Sequence, residues 1–289
     1  YGIMKKVTKM IHNMRLHNEP FELIKNGTKT IELRLNDEKR SLIKENDIIL
    51  FENRKTRELI KTKVIKLHKY DSFEELYKHF DKVSLGYNFN EEASYKDMEK
   101  YYSKEEQNKY GVLGIEIELI SPITIIYNDD SIKEDEVNRV VKRAKVVIEN
   151  SNNEILLCFC HNNYYLLGGH VDNDESDMEC LHRELLEEAG VDINFNKLIP
   201  FITIKYFIKD YPEDNINSLY IANYYNYKMD LIPNIDNLNL TEDEKEGNFE
   251  IQYIHRDMVL NKLNDALEFA TRKNVVNDTI EVIKEYLKM

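Results

Sequence analysis

The sequence predicts an α+β protein in two domains, an N-terminal small β-barrel and a C-terminal mixed sheet flanked by helices. Length is the first observation behind this: 289 residues exceed the usual size of one domain. The second is a set of short, alternating apolar segments between residues 14 and 120, with only one or two helical patterns among them. The third is a change of pattern after 121–140, a stretch holding Pro122, Asn128-Asp129-Asp130 and a charge run, beyond which strand and helix patterns interleave. We therefore expect domains at 1–120 and 141–289, joined by a linker at 121–140.

In the first domain, residues 21–25 read as a short helix ended by Asn26-Gly27, a favoured C-terminal pair. Residues 30–35 alternate polar and apolar as a half-buried strand does, 47–51 form a second strand, and 58–68 a third rich in β-branched residues. Ser72 with Glu75 predicts a capping box opening a helix over 72–80, and 112–120 alternates again to close the unit. In the second domain, strands at 144–149 and 154–160 flank the turn-rich Asn150-Ser151-Asn152-Asn153 and read as a hairpin. A strand at 164–167 stops at Gly168-Gly169, and a helix over 176–189 starts on the Ser176/Glu179 capping pair and ends at Gly190. Strands at 201–208, 218–228 and about 249–254 follow, then helices at about 257–272 and 275–287.

Composition narrows the class. At 42% hydrophobic the chain has enough apolar residues for packed cores. No apolar stretch approaches the roughly 18 residues of a membrane span. The start, Tyr1-Gly2-Ile3-Met4-Lys5-Lys6, has basic residues but no apolar run behind them, unlike a secretory signal. Cys158, Cys160 and Cys180 are an odd, irregularly spaced set, which fits buried reduced thiols in a cytoplasmic protein better than a disulfide framework. Charge is uneven: residues 1–120 hold 23 Lys+Arg and 21 Asp+Glu, a net of +2, which leaves −15 of the total −13 for the remainder. The C-terminal half repels polyanions unless cations intervene, so contact with nucleic acid, RNA included, is expected through the N-terminal half.

The chemistry concentrates on the 176–189 helix. Glu184, Glu187 and Glu188 stand at i, i+3 and i+4 and share one helix face. At an effective dielectric near 20, two charges about 6 Å apart repel by roughly 3 kcal/mol, and a divalent cation reverses that sign. Hard carboxylate oxygens suit Mg²⁺ or Mn²⁺, which keep waters and bind substrate phosphates. Leu181, Leu185 and Ala189 recur every four residues beside them, so this helix packs on a sheet with its carboxylates at a cleft edge. Arg183 is placed to pair with Glu175, and Gly168 and Gly169 let backbone come close to an ion. Three glutamates alone describe any solvated acidic face equally well. The full spacing does not: Gly169, five residues, Glu175, seven residues, then Arg183-Glu184-Leu185-Leu186-Glu187-Glu188-Ala189-Gly190-Val191.

With every fixed position in place, residues from about 140 onward resemble the Nudix hydrolase family. The resemblance implies an α/β/α sandwich and metal-assisted attack of water on the pyrophosphate of a nucleoside diphosphate derivative. It also implies Glu187 and Glu188 as main metal ligands, the Gly169 carbonyl as a further ligand, Glu184 as ligand or general base, and Arg183 and Glu175 as supports. Family members often add a carboxylate from a later loop. Here Thr241-Glu242-Asp243-Glu244-Lys245-Glu246-Gly247 offers Glu244 or Glu246, of which we expect Glu246. Tyr164, Tyr165 and His170 lie near the same cleft in sequence, with ordinary core or loop roles equally open to them.

In the first domain, Gly27-Thr28-Lys29-Thr30-Ile31-Glu32-Leu33-Arg34 resembles the Gly-x-Lys-x-x-Glu-x-Arg signature of ASCH domains, which are PUA-like barrels. Glu32 and Arg34 point to one strand face. With Lys29 they are expected to bind a nucleobase or phosphate, although a cross-strand ion-pair cluster uses the same residue types. Some ASCH-like proteins are amidohydrolases with a Thr three residues after the Lys. Glu32 stands there in this chain, so ligand recognition, of RNA or a modified nucleoside, is the favoured role.

Overall fold

The computed structural model describes residues 10–195 and 198–289, so the basic start at 1–6 lies outside the described residues. The chain divides into two units at Ser121/Pro122.

The first unit runs β1 (Ile11–Leu16), α1 (Asn18–Lys25), β2 (Ile31–Leu35), β3 (Ile48–Asn53), β4 (Leu59–Tyr70), α2 (Phe73–Leu76), α3 (Lys82–Leu85), α4 (Lys104–Tyr110) and β5 (Val112–Leu119). Its strands form a five-stranded sheet in the order β1-β3-β4-β5-β2, parallel between β1 and β3 and otherwise antiparallel. This is a half-barrel, as the ASCH resemblance implies. Ile31, Leu33 and Leu35 pack with Phe73 and Leu76 of α2. The two-residue period of a strand then turns Glu32 and Arg34 to the opposite side. Phe21 and Ile24 of α1 close the other core, with Phe51, Leu113 and Ile115. The helix expected over 72–80 is shorter. Ser72 caps it, accepting from the Glu75 N–H, but after Leu76 the i→i−3 bonds Lys78 N–H to Glu75 O and His79 N–H to Leu76 O tighten it into turns.

The second unit runs β6 (Ile123–Tyr127), β7 (Arg139–Glu149), β8 (Glu154–Cys160), β9 (Asn163–Tyr165), α5 (Asp177–Ala189), β10 (Ile202–Ile208), β11 (Ser218–Lys228), α6 (Glu242–Glu246), β12 (Glu250–His255), α7 (Val259–Ala266) and α8 (Lys273–Leu287). The sheet order is β12-β8-β7-β11-β10-β6, with β9 on β8. One face packs on α5 through Cys180, Leu181, Leu185 and Ala189. The other packs on α7 and α8 through Leu263, Val276, Ile280 and Ile283. This is the α/β/α sandwich. Each fully buried aliphatic side chain in these layers stabilises by roughly 1.5–3 kcal/mol.

Two expectations change. The stretch 121–140 is not a free linker, because β6 hydrogen-bonds in parallel to β10 from Ile123–Ile202 to Tyr127–Tyr206. And β7 and β8 do not form an extended hairpin. They share one register pair, Glu149–Ile155, while β7 runs parallel to β11 along its whole length. On its other side β7 takes the glycine segment, with the Ala144 N–H donating to Gly169 O and the Val146 N–H to Leu167 O. That segment occupies the edge a hairpin partner would need.

Candidate active site

The acidic helix is built as its sequence demands. The Ser176 hydroxyl accepts from the Glu179 N–H while the Glu179 carboxylate accepts from the Ser176 N–H, a reciprocal cap. At the far end Gly190 takes φ +67°, and a Cβ there would meet the Asn234 carbonyl oxygen at 2.1 Å. Leu181, Leu185 and Ala189 are fully buried, which fixes the rotation of the helix and brings Glu184 and Glu188 to the cleft wall.

Arg183 organises this wall. Its Nε and Nη2 reach the two oxygens of Glu175 at 2.9 and 3.0 Å, a bidentate fork. Nη1 reaches Glu184 at 2.9 Å and Glu187 at 3.2 Å, and Nη2 also donates to His170 O at 2.8 Å. Glu188 is buried and accepts from the Gly168 N–H at 3.2 Å. Burial pushes its carboxyl up to about 8, with the charge of Lys145 opposing. Burial likewise raises Glu184, opposed by Arg183, and lowers Lys145, opposed by Glu188. All three shifts have one cause, too little solvent for the charge gathered there. Glu184 presses on the glycine turn so closely that a Cβ on Gly169 would lie 2.1 Å from its Oε1. Gly169 lines the same cleft, and its carbonyl accepts from the Ala144 N–H at 3.1 Å.

The lining is also basic. Arg143 and Lys145, alternate residues of β7, line the same cleft as Glu184 and Glu188. Lys145 Nζ donates to the carbonyls of Leu166 at 3.0 Å and Gly168 at 2.9 Å. Sequence reasoning did not single out either residue. The signal was the alternation Arg143-Ala144-Lys145 in a strand beside the acidic box. Tyr165 lines the cleft beneath Lys145, whose ammonium stands 5.1 Å from its ring centre. Tyr164 is in the core on the opposite face of the sheet. His170 is in the lining, its pKa lowered by burial and by Arg143.

The later acidic loop needs correcting. Glu244, not Glu246, lines the cleft. In the one-turn α6 the Glu244 carboxylate folds back onto Thr241, accepting from its N–H and hydroxyl at 2.7 and 2.8 Å, and Glu244 is half-buried while Glu246 is exposed. The chemistry of the donors suits a hard divalent ion: Glu184, Glu188 and Glu244 line the cleft with a glycine cradle that any side chain would fill, whereas Glu187, tied to Arg183, is not among the lining residues. Among the described residues no three acidic, histidine or cysteine groups converge closely enough to coordinate an ion unaided. Mg²⁺ asks for less, since one or two carboxylates suffice where waters and substrate phosphates complete its octahedron.

The first unit carries its own cavity of about 700 Å³, with Lys29, Glu32 and Arg34 in its wall. Arg34 reaches Glu32 at 2.8 Å and Lys29 reaches it at 3.6 Å. The Lys29 ammonium is also held by the carbonyls of Ile31 at 2.6 Å and Leu85 at 2.8 Å. Two of its three hydrogens are thus taken by backbone carbonyls, and the Glu32 carboxylate stands beside it as an ion-pair partner. Burial lowers its pKa, yet the amine is a braced strut, not a free nucleophile.

Comparison with known proteins agrees with this partition. The ASCH domain model matches residues 14–121, and the NUDIX domain model matches residues 140–264. No curated protein matches the chain significantly. Among solved structures, hypothetical protein PH0355 is 39% identical over 38% of this chain and 100% of its own, with a TM-score of 0.34. Protein PF0455 from Pyrococcus furiosus is 37% identical over 39% of this chain and 99% of its own, with a TM-score of 0.31. A MutT protein from Methanosarcina mazei Go1 is 19% identical over 52% of this chain and 97% of its own, with a TM-score of 0.36. The chain is thus a two-domain protein that carries an ASCH domain over residues 14–121 and a NUDIX domain over residues 140–264.

Proposed function

We propose that the C-terminal domain is a Mg²⁺- or Mn²⁺-dependent pyrophosphohydrolase acting on a nucleoside diphosphate derivative. One observation carries this reading: Glu184 and Glu188 of α5 and the cations Arg143 and Lys145 of β7 line one cleft of about 350 Å³. That pairing suits a metal–phosphate complex, with the ion against the glutamates and phosphate oxygens against Arg143 and Lys145. The volume lies within the roughly 300–1,000 Å³ of small-molecule sites.

Glu187, Glu188 and the Gly169 carbonyl would hold the ion. When bound, it supplies Lewis acidity and a more acidic water. Glu184 is the ligand or base beside it. Arg183 is a positioning residue, which locks Glu175, Glu184 and Glu187 in one network. Arg143 and Lys145 neutralise charge that builds on the phosphate oxygens. The three buried thiols suit a reducing compartment, the cytoplasm. No helix among the described residues is long and apolar enough to cross a membrane.

The experiment is phosphate or pyrophosphate release from a panel of nucleoside diphosphate derivatives, with and without Mg²⁺. We expect metal-dependent turnover that falls about 100-fold or more in Glu187→Gln and in Glu188→Gln, with circular dichroism unchanged. A folded wild-type protein that binds nucleotides but releases nothing would favour an idle sensor domain instead.

The N-terminal domain is read as a recognition module for a nucleoside or RNA, because its cavity pairs Glu32 and Arg34 with Tyr101 and Tyr102 on the rim. Arg34→Ala should weaken binding of cytidine or of a single-stranded RNA 10-mer. Unchanged affinity for both removes that role.

A further inference from the structure

We propose that the tight turn between β8 and β9 is a latch, in which His161 holds α6 beside the cleft and so sets where Glu244 stands. The proposal deepens the hydrolase reading and rests on it: His161 is a positioning residue for the loop carboxylate. The turn is Cys160-His161-Asn162-Asn163, with Cys160 paired to Asn163 across it. Both central residues are left-handed, His161 at φ +49° and Asn162 at φ +64°. Glycine meets that geometry without steric cost, whereas a histidine there carries the Cβ penalty. A ring kept at such a position is explained by what it touches.

It touches α6. His161 Nε2 stands 2.9 Å from the Asp243 carbonyl oxygen and 3.3 Å from the Asp243 carboxylate. Both are acceptors, so this nitrogen carries the proton. The His161 N–H donates to Gly247 O at 2.8 Å, and Cys160 Sγ lies 3.7 Å from Glu244 O. The fit is close, because a Cβ on Gly247 would lie 2.3 Å from Cys160 Sγ and 2.6 Å from the His161 ring. Gly247 has φ −77°, so the contact and not the backbone requires the glycine.

Nothing else holds this helix so directly. α6 spans five residues and buries none of them, and a helix that short is not stable alone. Among the described residues, every hydrogen bond from 240–248 to another element ends on Cys160 or His161. The turn itself is fixed from its far side. The Asn163 side chain accepts from the Arg272 N–H at 2.7 Å and donates to the Thr271 hydroxyl at 2.8 Å, and Thr271 donates to His161 O at 2.7 Å. The turn is therefore the rigid part and α6 the part it holds. Glu244 lines the cleft together with Cys160 and His161.

The test is hydrogen–deuterium exchange of the full chain, without metal or substrate, in wild type, His161→Gly and Gly247→Ala. His161→Gly removes the ring and relieves the left-handed position, so its melting temperature should stay within a few degrees of wild type. The Lys245 and Gly247 amides, which donate to Thr241 O and Asp243 O within the α6 turn, should nevertheless exchange about tenfold faster, as the loss of one hydrogen bond to the segment predicts. Gly247→Ala should do the same from the other side of the contact. Turnover in His161→Gly should fall about tenfold through kcat with KM unchanged, and adding Glu244→Gln should lower it no further than Glu244→Gln alone. Exchange at the wild-type rate in both variants overturns the latch. Faster exchange with wild-type kcat, or losses that add in the double variant, overturns the positioning role while the remaining turnover keeps the hydrolase. A wild type without turnover would sink the hydrolase reading instead, and exchange would still decide the latch.

Discussion

Arg183 carries more of the site than any single glutamate. Its Nε and Nη2 fork onto Glu175, Nη2 also reaches the His170 carbonyl, and Nη1 reaches Glu184 and Glu187. A lysine offers a point charge and no fork. Arg183→Lys should therefore keep the charge but loosen the ligand set, raising the Mg²⁺ concentration for half-maximal activity about 10–100-fold, as read from a metal titration of turnover. An unshifted midpoint would mean that the network only braces the loop. Elsewhere in the same domain Glu149 shows what a purely structural buried charge looks like. It is 1% exposed and is met by Lys228 at 2.8 Å, Arg256 at 3.0 Å and the Tyr286 hydroxyl. Burial alone would raise its pKa, but the bonds from Lys228 and Tyr286 outweigh it and hold the carboxyl below its ordinary 4.5. A depressed folded-state pKa contributes stability above the unfolded value and loses it as pH falls through the folded one. Glu149→Gln should cost about 1.5–3 kcal/mol at pH 7 in urea denaturation, and the difference from wild type should shrink below pH 4.5. A difference constant from pH 7 to pH 3 would show that the carboxylate charge contributes nothing.

At the scale of elements, the glycine turn and α5 must be read together. Gly169 has no need of positive φ, so an alanine there meets no backbone strain. Its Cβ meets the Glu184 carboxylate instead. Gly169→Ala should leave the melting temperature within a few degrees of wild type and lower turnover about tenfold or more, because only a side chain has to move. A loss of folding without any effect on turnover in the remaining folded fraction would reverse that assignment. This element was legible before the structure. Its capping box, apolar stripe and terminal glycine are local signals, and Gly169, Glu184 and Glu188 of the spaced motif share one cleft lining while Glu187 is not part of it. The basic part of the lining was not legible, since Arg143 and Lys145 on a strand look the same whether they face solvent or a cleft. Parallel pairing decides that, and β7 finds β11 some 80 residues on. That Glu244 and not Glu246 lines the cleft was hidden for a similar reason. A run of charges has no apolar period, although the Thr241–Glu244 capping pair was a usable pointer to Glu244.

At the scale of the molecule, the strand β6 changes what counts as the catalytic unit. Pro122 and the Asn128-Asp129-Asp130 turn made its neighbourhood read as linker, and its outward residues Ile123 and Ile126 lack the alternation of a buried strand. Yet β6 covers the edge of β10, which a truncated protein would leave with a row of unpaired backbone groups. The NUDIX match at 140–264 also stops before α8, whose Val276, Val282 and Ile283 are fully buried in the sheet core. Losing them removes several side chains' worth of burial, each worth roughly 1.5–3 kcal/mol against a total stability of about 5–15 kcal/mol. A fragment of residues 122–289 should therefore fold and turn over substrate like the full chain. A fragment of residues 140–264 should be unfolded or aggregated, as seen by circular dichroism and gel filtration. If the shorter fragment folds cooperatively, β6 and α8 are accessories to the sheet core.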